Sequence, residues 1–325
     1  MFVRAISIAA IGSPDQLKVD EFPLPVSSSN PGEQILIKVE SAGINFFDIY
    51  QRRGERPMNF PGILGVEGIG IILESSIPLQ NFTVGDRVGW TGGTKSYSQF
   101  LTLSEDQLIP LPVNISSEKL LPLLLQGLTA HFLANSAHVA SAKTTALVTA
   151  ASGGVGSVLI QLLRRTGARV IPVTSTKTKL EKLQSLGFED ACTYSEMKEQ
   201  VRALTKGLGV NVVYDSVGKD TFNQTIELVG RRGDMVLYGA ASGPVEPINP
   251  LTLTRNSIYL SRPTLSDFIS TFNEKKERIN DLVSAQLSGA LELPPLQIFT
   301  FEEAAKAHRL LESGMAGGKL AFTTA

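Results

Sequence analysis

Leu147-Val148-Thr149-Ala150-Ala151-Ser152-Gly153-Gly154-Val155-Gly156 is the stretch on which the fold turns. A short β run ends in small residues and leads into an amphipathic segment at residues 158–165. Ala151, Gly153 and Gly156 occupy the three small positions of a (G/A)-x-G-x-x-G dinucleotide fingerprint, and Ser152, Gly154 and Val155 fill the loop between them. Small residues permit the tight turn, let backbone approach a pyrophosphate, and let the helix pack closely on the strand. The helix N-terminus then offers unpaired N–H groups to phosphates. Glycine-rich turns also occur as plain βα connections. Here the strand before, the helix after and a second β run, Val170-Ile171-Pro172-Val173, favour a dinucleotide site.

Outward from the loop, the alternation continues. Further β runs at 210–214 and 235–238 are separated by helix-like segments at 177–186, 196–204 and 221–229. Gly167 and Gly187 stand where a helix C-terminus favours glycine. Residues 144–259 therefore read as repeated βα units on a parallel sheet. The first third has another texture. Ile35-Leu36-Ile37-Lys38-Val39, a run at 68–73 and a run at 86–90 are punctuated by Pro31-Gly32, Pro61-Gly62 and Gly92-Gly93. Such short strands predict a partly closed antiparallel barrel. After Arg262-Pro263 the pattern turns helical, with one β run near Ile298-Phe299-Thr300.

Composition narrows the function classes. In 325 residues, 30 Lys+Arg against 31 Asp+Glu give a net charge of −1, which argues against nucleic acid or an anionic membrane held by charge alone. A hydrophobic content of 42% with 19% charged residues excludes a disordered chain. A single cysteine, Cys192, excludes an intrachain disulfide and a cysteine-rich zinc lobe, and fits a reducing, cytoplasmic compartment. The apolar run Ala5 to Ile11 stops at Gly12-Ser13-Pro14-Asp15 and reads as a first strand rather than a signal peptide. No stretch reaches the roughly 20 apolar residues of a membrane span.

The second strand decides which dinucleotide. An NAD site places a carboxylate about 20 residues beyond the loop to hold the ribose 2′-hydroxyl. Here Val173-Thr174-Ser175-Thr176-Lys177-Thr178-Lys179 offers hydroxyls and two lysines, and no carboxylate. A 2′-phosphate would gain charge-assisted hydrogen bonds there, so the residues favour NADP(H).

Several motifs in order resemble the quinone oxidoreductase branch of the medium-chain dehydrogenase/reductase superfamily, which includes the ζ-crystallins. They are Ala42-Gly43-Ile44-Asn45-Phe46-Phe47-Asp48-Ile49-Tyr50, Gly65-Val66-Glu67-Gly68-Ile69-Gly70, Val84-Gly85-Asp86-Arg87-Val88, Gln126-Gly127-Leu128-Thr129-Ala130, the glycine loop, and Val213-Tyr214-Asp215-Ser216-Val217-Gly218. The resemblance implies an α/β chain: a Rossmann doubly wound parallel sheet plus a discontinuous GroES-like β-rich catalytic domain, with the active site in the cleft. The expected boundaries are 1–125, 126–262 for the NADP(H)-binding domain, and a return to the catalytic domain over 263–325. Zinc-dependent relatives ligate a catalytic zinc through two Cys and one His. The matching positions here are Asn45, Val66 and Gln126, so no zinc site is expected.

Without a Lewis acid, an alcohol lacks the electrophile its alkoxide needs, whereas a quinone or enone takes hydride with hydrogen-bond donors alone. The resemblance puts Asn45 beside the nicotinamide, Asp48 near the active site as an orienting carboxylate, and Thr129 near the ring. Tyr50 and Gln126 are candidate donors to the substrate oxygen. Ser175, Lys179 and Tyr194 match the groups that hold the 2′-phosphate, and Ser216, Tyr238, Gly239 and Ala240 line the nicotinamide side. Relatives often add a C-terminal arginine to the phosphate site. Gly314 stands there, with Lys319 expected to compensate. An asparagine of relatives is replaced in Tyr238-Gly239-Ala240-Ala241, and Arg56 falls where an aromatic is usual. The leading expectation is an NADPH-dependent quinone reductase. The alternatives are a 2-alkenal or enone reductase and a crystallin-like protein that binds NADPH or RNA with little catalysis. A homodimer is expected to pair through the apolar run Ile258-Tyr259-Leu260.

Overall fold

In the computed structural model, the described residues are 1–28, 30, 33–92 and 95–324. The turn signal Pro31-Gly32 and Gly93 of Gly92-Gly93 lie outside them. The chain divides into two units, Met1–Leu125 with Ile269–Ser284 and Leu293–Ala325, and Gln126–Phe268 with Ala285–Glu292. The return to the first unit thus begins at Ile269 rather than 263, and Ala285–Glu292 belongs to the second unit. Gln161 holds that excursion, exchanging hydrogen bonds with the backbone of Glu292 in both directions.

In the first unit, the short apolar runs become antiparallel strands. They are β1 (Phe2–Ile8), β2 (Lys18–Pro23), β3 (Ile35–Ile44), β4 (Gly62–Ile63), β5 (Glu67–Ser75), β6 (Arg87–Thr91), β7 (Phe100–Leu103) and β8 (Leu108–Pro110). The second unit supplies β9 (Thr145–Val148), β10 (Arg169–Thr174), β11 (Cys192–Thr193), β12 (Val210–Asp215), β13 (Val229–Leu237) and β14 (Tyr259–Ser261). The returning chain adds β15 (Gln297–Phe299) and β16 (Leu320–Thr323) to the first unit.

The larger sheet of the first unit runs β15-β16-β3-β5-β6-β8, with β7 also on β3, and a small sheet runs β2-β1-β4. β16 lies antiparallel to β3 with Leu320 opposite Ile44, which brings the last residues against the end of the third strand. Ile6, Ile35, Ile37, Trp90, Tyr97 and Phe322 sit in the shared core. Burying one such side chain contributes about 1.5–3 kcal/mol.

The second unit is a six-stranded parallel sheet in the order β11-β10-β9-β12-β13-β14. Counted from its own first strand this is 3-2-1-4-5-6, the dinucleotide-binding order, in which ligands bind at the switch point beyond the carboxyl end of the first strand. Its strands are apolar on both faces, as the uninterrupted burial of Ala146, Leu147 and Val148 requires. Gly167 and Gly187 adopt left-handed backbone past their helices, with φ +80° at each.

One local expectation fails. The segment 221–229 forms helix only over Phe222–Ile226, and the chain enters β13 at Val229, before the apolar run at 235–238. Leu228 N–H closes a turn on Thr225 O, and Val229 pairs with Val210. The register then shifts while Arg232 takes φ +58°. Burial of Val229 outweighs the helical pattern before it. Among the described residues, no helix is long and apolar enough to cross a membrane.

Candidate active site

The glycine loop leaves β9 at Val148 and reaches the Gly154–Arg165 helix through one strained residue. Ala150 takes φ +47°, left-handed backbone that costs a non-glycine residue roughly 1–2 kcal/mol. Three contacts hold it. Its N–H donates to the Tyr194 hydroxyl at 2.9 Å, its carbonyl accepts from Gly153 N–H at 2.8 Å, and Gly156 packs against that carbonyl. A Cβ on Gly156 would sit 2.4 Å from Ala150 O, so only glycine lets helix and loop close. Gly153 caps the helix without a side-chain cap bond, leaving its first N–H groups to a ligand.

The rim around this loop is polar. Ser152 and Thr174 hydroxyls meet at 3.0 Å, Ser175 is exposed at the end of β10, and Thr176 caps the next helix by accepting from Lys179 N–H. Lys177 is exposed and Lys179 half-buried in that helix, and residues 173–180 contain no carboxylate. Burial pushes the Tyr194 phenol up to about 12, so it stays neutral and can donate its proton while accepting from Ala150. Asp215 organises the opposite side. Its buried carboxylate accepts from Thr149, Thr221 and Thr225 hydroxyls and from Val217 N–H at 2.8 Å, which fixes the turn through Ser216. Tyr238 and Gly239 follow, their N–H groups bonded to Asp215 O and Ala240 half-buried beyond them. Burial raises the Tyr238 phenol, whose buried oxygen faces the Ser216 side chain. Thr129 is half-buried on the Leu125–Phe132 helix. Gln126 lies over the start of the loop helix: a Cβ on Gly154 would come within 2.2 Å of its amide nitrogen.

In the first unit, β3 ends at Ile44 and Asn45 opens the Phe46–Arg52 helix. Asn45 stands at the N-cap, in a capping box with Asp48. Its amide has further partners: Nδ2 donates to Glu67 Oε2 at 3.0 Å and to Gly43 O at 3.2 Å, and Oδ1 accepts from Lys319 Nζ at 2.7 Å. The Lys319 ammonium also forms an ion pair with Glu67, whose second oxygen accepts from Leu125 N–H at 2.7 Å. Both charged side chains are buried, at 1% and 0% exposure. Gly43 makes room for them, since a Cβ there would overlap Glu67 Oε2.

Asp48 supports the same turn from below. Its Oδ2 accepts from Asn45 N–H at 2.7 Å and from the Tyr97 hydroxyl at 2.8 Å. Tyr97 also meets His308 Nε2 at 3.3 Å. Burial pushes Asp48 up to about 7 against these bonds, and pushes His308 down to about 3. With the tyrosine proton spent on Asp48, the neutral imidazole donates from Nε2. Asp48 Oδ1 and His308 Nδ1 are buried without partners among the described residues, so a proton on Asp48 sits at Oδ1. Tyr50 is half-buried on the same helix, its ring 6.3 Å from that of Phe46.

One expectation changes. Lys319 does not compensate for an arginine at the phosphate site, because its ammonium is buried and spent on Glu67, Asn45 and Ile44 O. Gly314 has φ +69° just past the Ala304–Glu312 helix, where an arginine would be strained. Glu67, Asp215, Tyr97 and His308 were missed as site builders. Glu67 and Asp215 lie inside recognised motifs, whereas Tyr97 and His308 carry no local signal.

A model of alcohol dehydrogenase GroES-like domains matches residues 31–113, and a model of zinc-binding dehydrogenases matches residues 154–283. A quinone oxidoreductase of Salmonella typhimurium is 34% identical over 93% of this chain and 94% of its own. A 2-haloacrylate reductase of Burkholderia is 33% identical over 95% of each. The structure of Escherichia coli quinone oxidoreductase complexed with NADPH superposes with a TM-score of 0.91 at 31% identity, covering 98% of this chain and 99% of that one.

Proposed function

The chain belongs to the medium-chain dehydrogenase/reductase superfamily, among its quinone oxidoreductases, and from that premise we propose that it reduces a quinone with NADPH and without zinc. Bound NADPH supplies a hydride; with one proton from water, quinone becomes hydroquinone and NADP+ is released. The chain's part is to bind, orient and stabilise. The loop helix N-terminus and the Ser152–Thr174 rim receive the phosphates, and Ser175, Lys179 and Tyr194 receive the 2′-phosphate. The observation that carries the reading is the donor set: where zinc relatives have thiolates and an imidazole, this chain has Asn45, Val66 and Gln126. Val66 has no lone pair to give, and the oxygen of Asn45 already faces an ammonium that a dication would repel. Zinc does not fit these residues. A single buried cysteine fits a cytoplasmic location.

Initial rates of NADPH oxidation against ortho-quinones, para-quinones, enals and alcohols test the reading, with metal content measured on the same sample. Quinones with the highest kcat/KM and substoichiometric zinc are expected. Alcohol turnover with one zinc per chain would overturn it. The likeness to a 2-haloacrylate reductase favours a second reading, reduction of an activated alkene, which the enal arm of the panel separates. A homodimer through β14 completes the proposal. That strand is the sheet edge, and Tyr259 on it is 64% exposed. A monomer by light scattering at micromolar concentration would refute this.

A further inference from the structure

A net charge of −1 hides an uneven distribution over the second unit. The glycine loop follows the carboxyl end of β9, whereas three connections meet at the opposite end of the parallel sheet: residues 206–209 before β12, 227–232 at the start of β13, and 255–257 before β14. Val210 N–H donates to Leu228 O at 2.9 Å and Asn256 Nδ2 to Val229 O at 3.0 Å, and a Cβ on Gly230 would sit 2.8 Å from Leu208 O. These connections and the adjoining helix Met197–Thr205 carry Lys198, Arg202, Lys206, Arg231, Arg232 and Arg255 against Glu199 and Glu227, a local charge of +4. Nearby, Arg169 and Asp190 pair and cancel. Lys198 closes an ion pair with Glu227 at 3.0 Å, and with Arg255 and Arg202 it holds that carboxyl below its usual range. The five arginine and lysine side chains other than Lys198 are on exposed residues and form no ion pair among the described residues. The backbone is strained at the same place. Lys206, Arg232, Asn256 and Ser257 have φ between +52° and +66°, and the fifth such non-glycine residue described is Ala150 of the glycine loop. Leu208 stands at the tip of the first connection, 77% exposed, between glycines at φ +78° and +79°. A Cβ on Gly207 would meet nothing within 4 Å, so this turn projects.

We propose that this end of the second unit docks on an anionic lipid surface, with Leu208 entering the headgroup boundary while Arg202, Lys206, Arg231 and Arg232 engage the anionic headgroups. The proposal is independent of the quinone reading and of the cofactor. Charge complementarity selects an anionic partner, since each basic side chain near such a surface strengthens partitioning roughly fivefold. The exposed leucine on a projecting turn selects lipid within that class, because an apolar tip gains only by entering an apolar phase. Docking of this kind does not rest on charge alone, so the balanced total does not oppose it. A single-stranded nucleic acid would call for aromatic side chains to stack on, and residues 197–210, 227–233 and 255–257 contain none. The strained backbone points the same way. Lys206 ends its helix in left-handed backbone and Arg232 lies in the register shift of β13, places where glycine would be less costly but would carry no charge.

Sedimentation of the 325-residue chain with sucrose-loaded vesicles tests this. It should pellet with phosphatidylcholine containing about 30% phosphatidylserine at about 0.1 M salt. It should stay in solution with phosphatidylcholine alone, or when salt is raised to about 0.5 M and screens the patch. Arg231→Gln/Arg232→Gly suits the left-handed backbone and should weaken partitioning about 25-fold, two steps of about fivefold. Leu208→Ser keeps the charge and should weaken it at least about fivefold with the same salt dependence. Circular dichroism and Tm check the fold of each variant, and if one unfolds, the lipid and salt dependence of the wild type still decides. Equal partitioning into both vesicle types, or into neither, overturns the proposal, as does undiminished binding by either folded variant. Retention of a single-stranded RNA of about 20 nucleotides, lost in the double variant and unaccompanied by vesicle binding, overturns it in favour of nucleic acid.

Discussion

Tyr194→Phe separates two jobs that one hydroxyl performs. The Tyr194 oxygen accepts the N–H of Ala150 and its hydroxyl meets the Thr149 side chain, from which its proton can turn to a 2′-phosphate. Phenylalanine keeps the ring and removes both. Ala150 is half-buried and already strained at φ +47°, so an unpaired N–H there costs about 1 kcal/mol, the lower end of the range for a buried donor. That loosens the loop for either cofactor, and about 1 kcal/mol corresponds to a roughly fivefold rise in Kd. A hydrogen bond to the phosphate contributes about 1.5 kcal/mol more, roughly a further tenfold, for NADPH alone. Titrating both cofactors by calorimetry should therefore show NADH about fivefold weaker and NADPH about 50-fold weaker. An unchanged Kd for NADH would refute the loop-holding argument, and equal losses for the two would refute the phosphate contact.

Lys179→Ala should weaken NADPH by about tenfold, the loss of one charged hydrogen bond, and leave NADH within about twofold; equal effects on both would remove Lys179 from the phosphate site. Asp48 and His308 should give opposing pH dependences of stability. The raised Asp48 favours the folded state below its unfolded value near 4, and this stability is lost as pH rises through about 7. The depressed His308 favours it above about 6.5, and this is lost as pH falls toward about 3. Asp48→Asn, whose amide suits the same partners, should unmask a slope of up to about 1.4 kcal/mol per pH unit that rises from pH 4 to 6.5, and His308→Gln the reverse. Parallel Tm-against-pH curves in the two variants would contradict this. Gly156→Ala should cost binding of both cofactors at least about tenfold, because its methyl enters the Ala150 carbonyl; normal binding would mean the loop relaxes freely.

How much of this could be read in advance follows from distance along the chain. The parallel sheet was legible because strands buried on both faces read as unbroken apolar runs, and the cofactor loop because its ten residues act on one another. Lys319 was misread. Its role depends on β16 pairing with β3, which joins it to a residue 274 positions away, and no local pattern carries that register. Asp215 shows a subtler limit: the motif around it was recognised, but only the folded turn reveals that its carboxylate ties Thr149 to the turn through Ser216. The cut-off helix before β13 failed because sheet burial of Val229 outweighed a local periodicity.

The return of the chain end to β3 has a consequence for synthesis. Asn45 leaves the ribosome 274 residues before the lysine that orients it, a wait of roughly 14–55 s at about 5–20 residues per second. Over that interval Glu67 lacks its counter-ion and the Ser41–Ile44 part of β3 lacks a neighbour along one edge, and every strand of the nucleotide-binding sheet is made before it ends. The nascent protein is therefore expected to acquire its cofactor cradle first and to keep an unpaired stretch of strand edge in the N-terminal portion until β16 is made. Chaperone contacts during synthesis should concentrate on that edge and disappear with the appearance of β16.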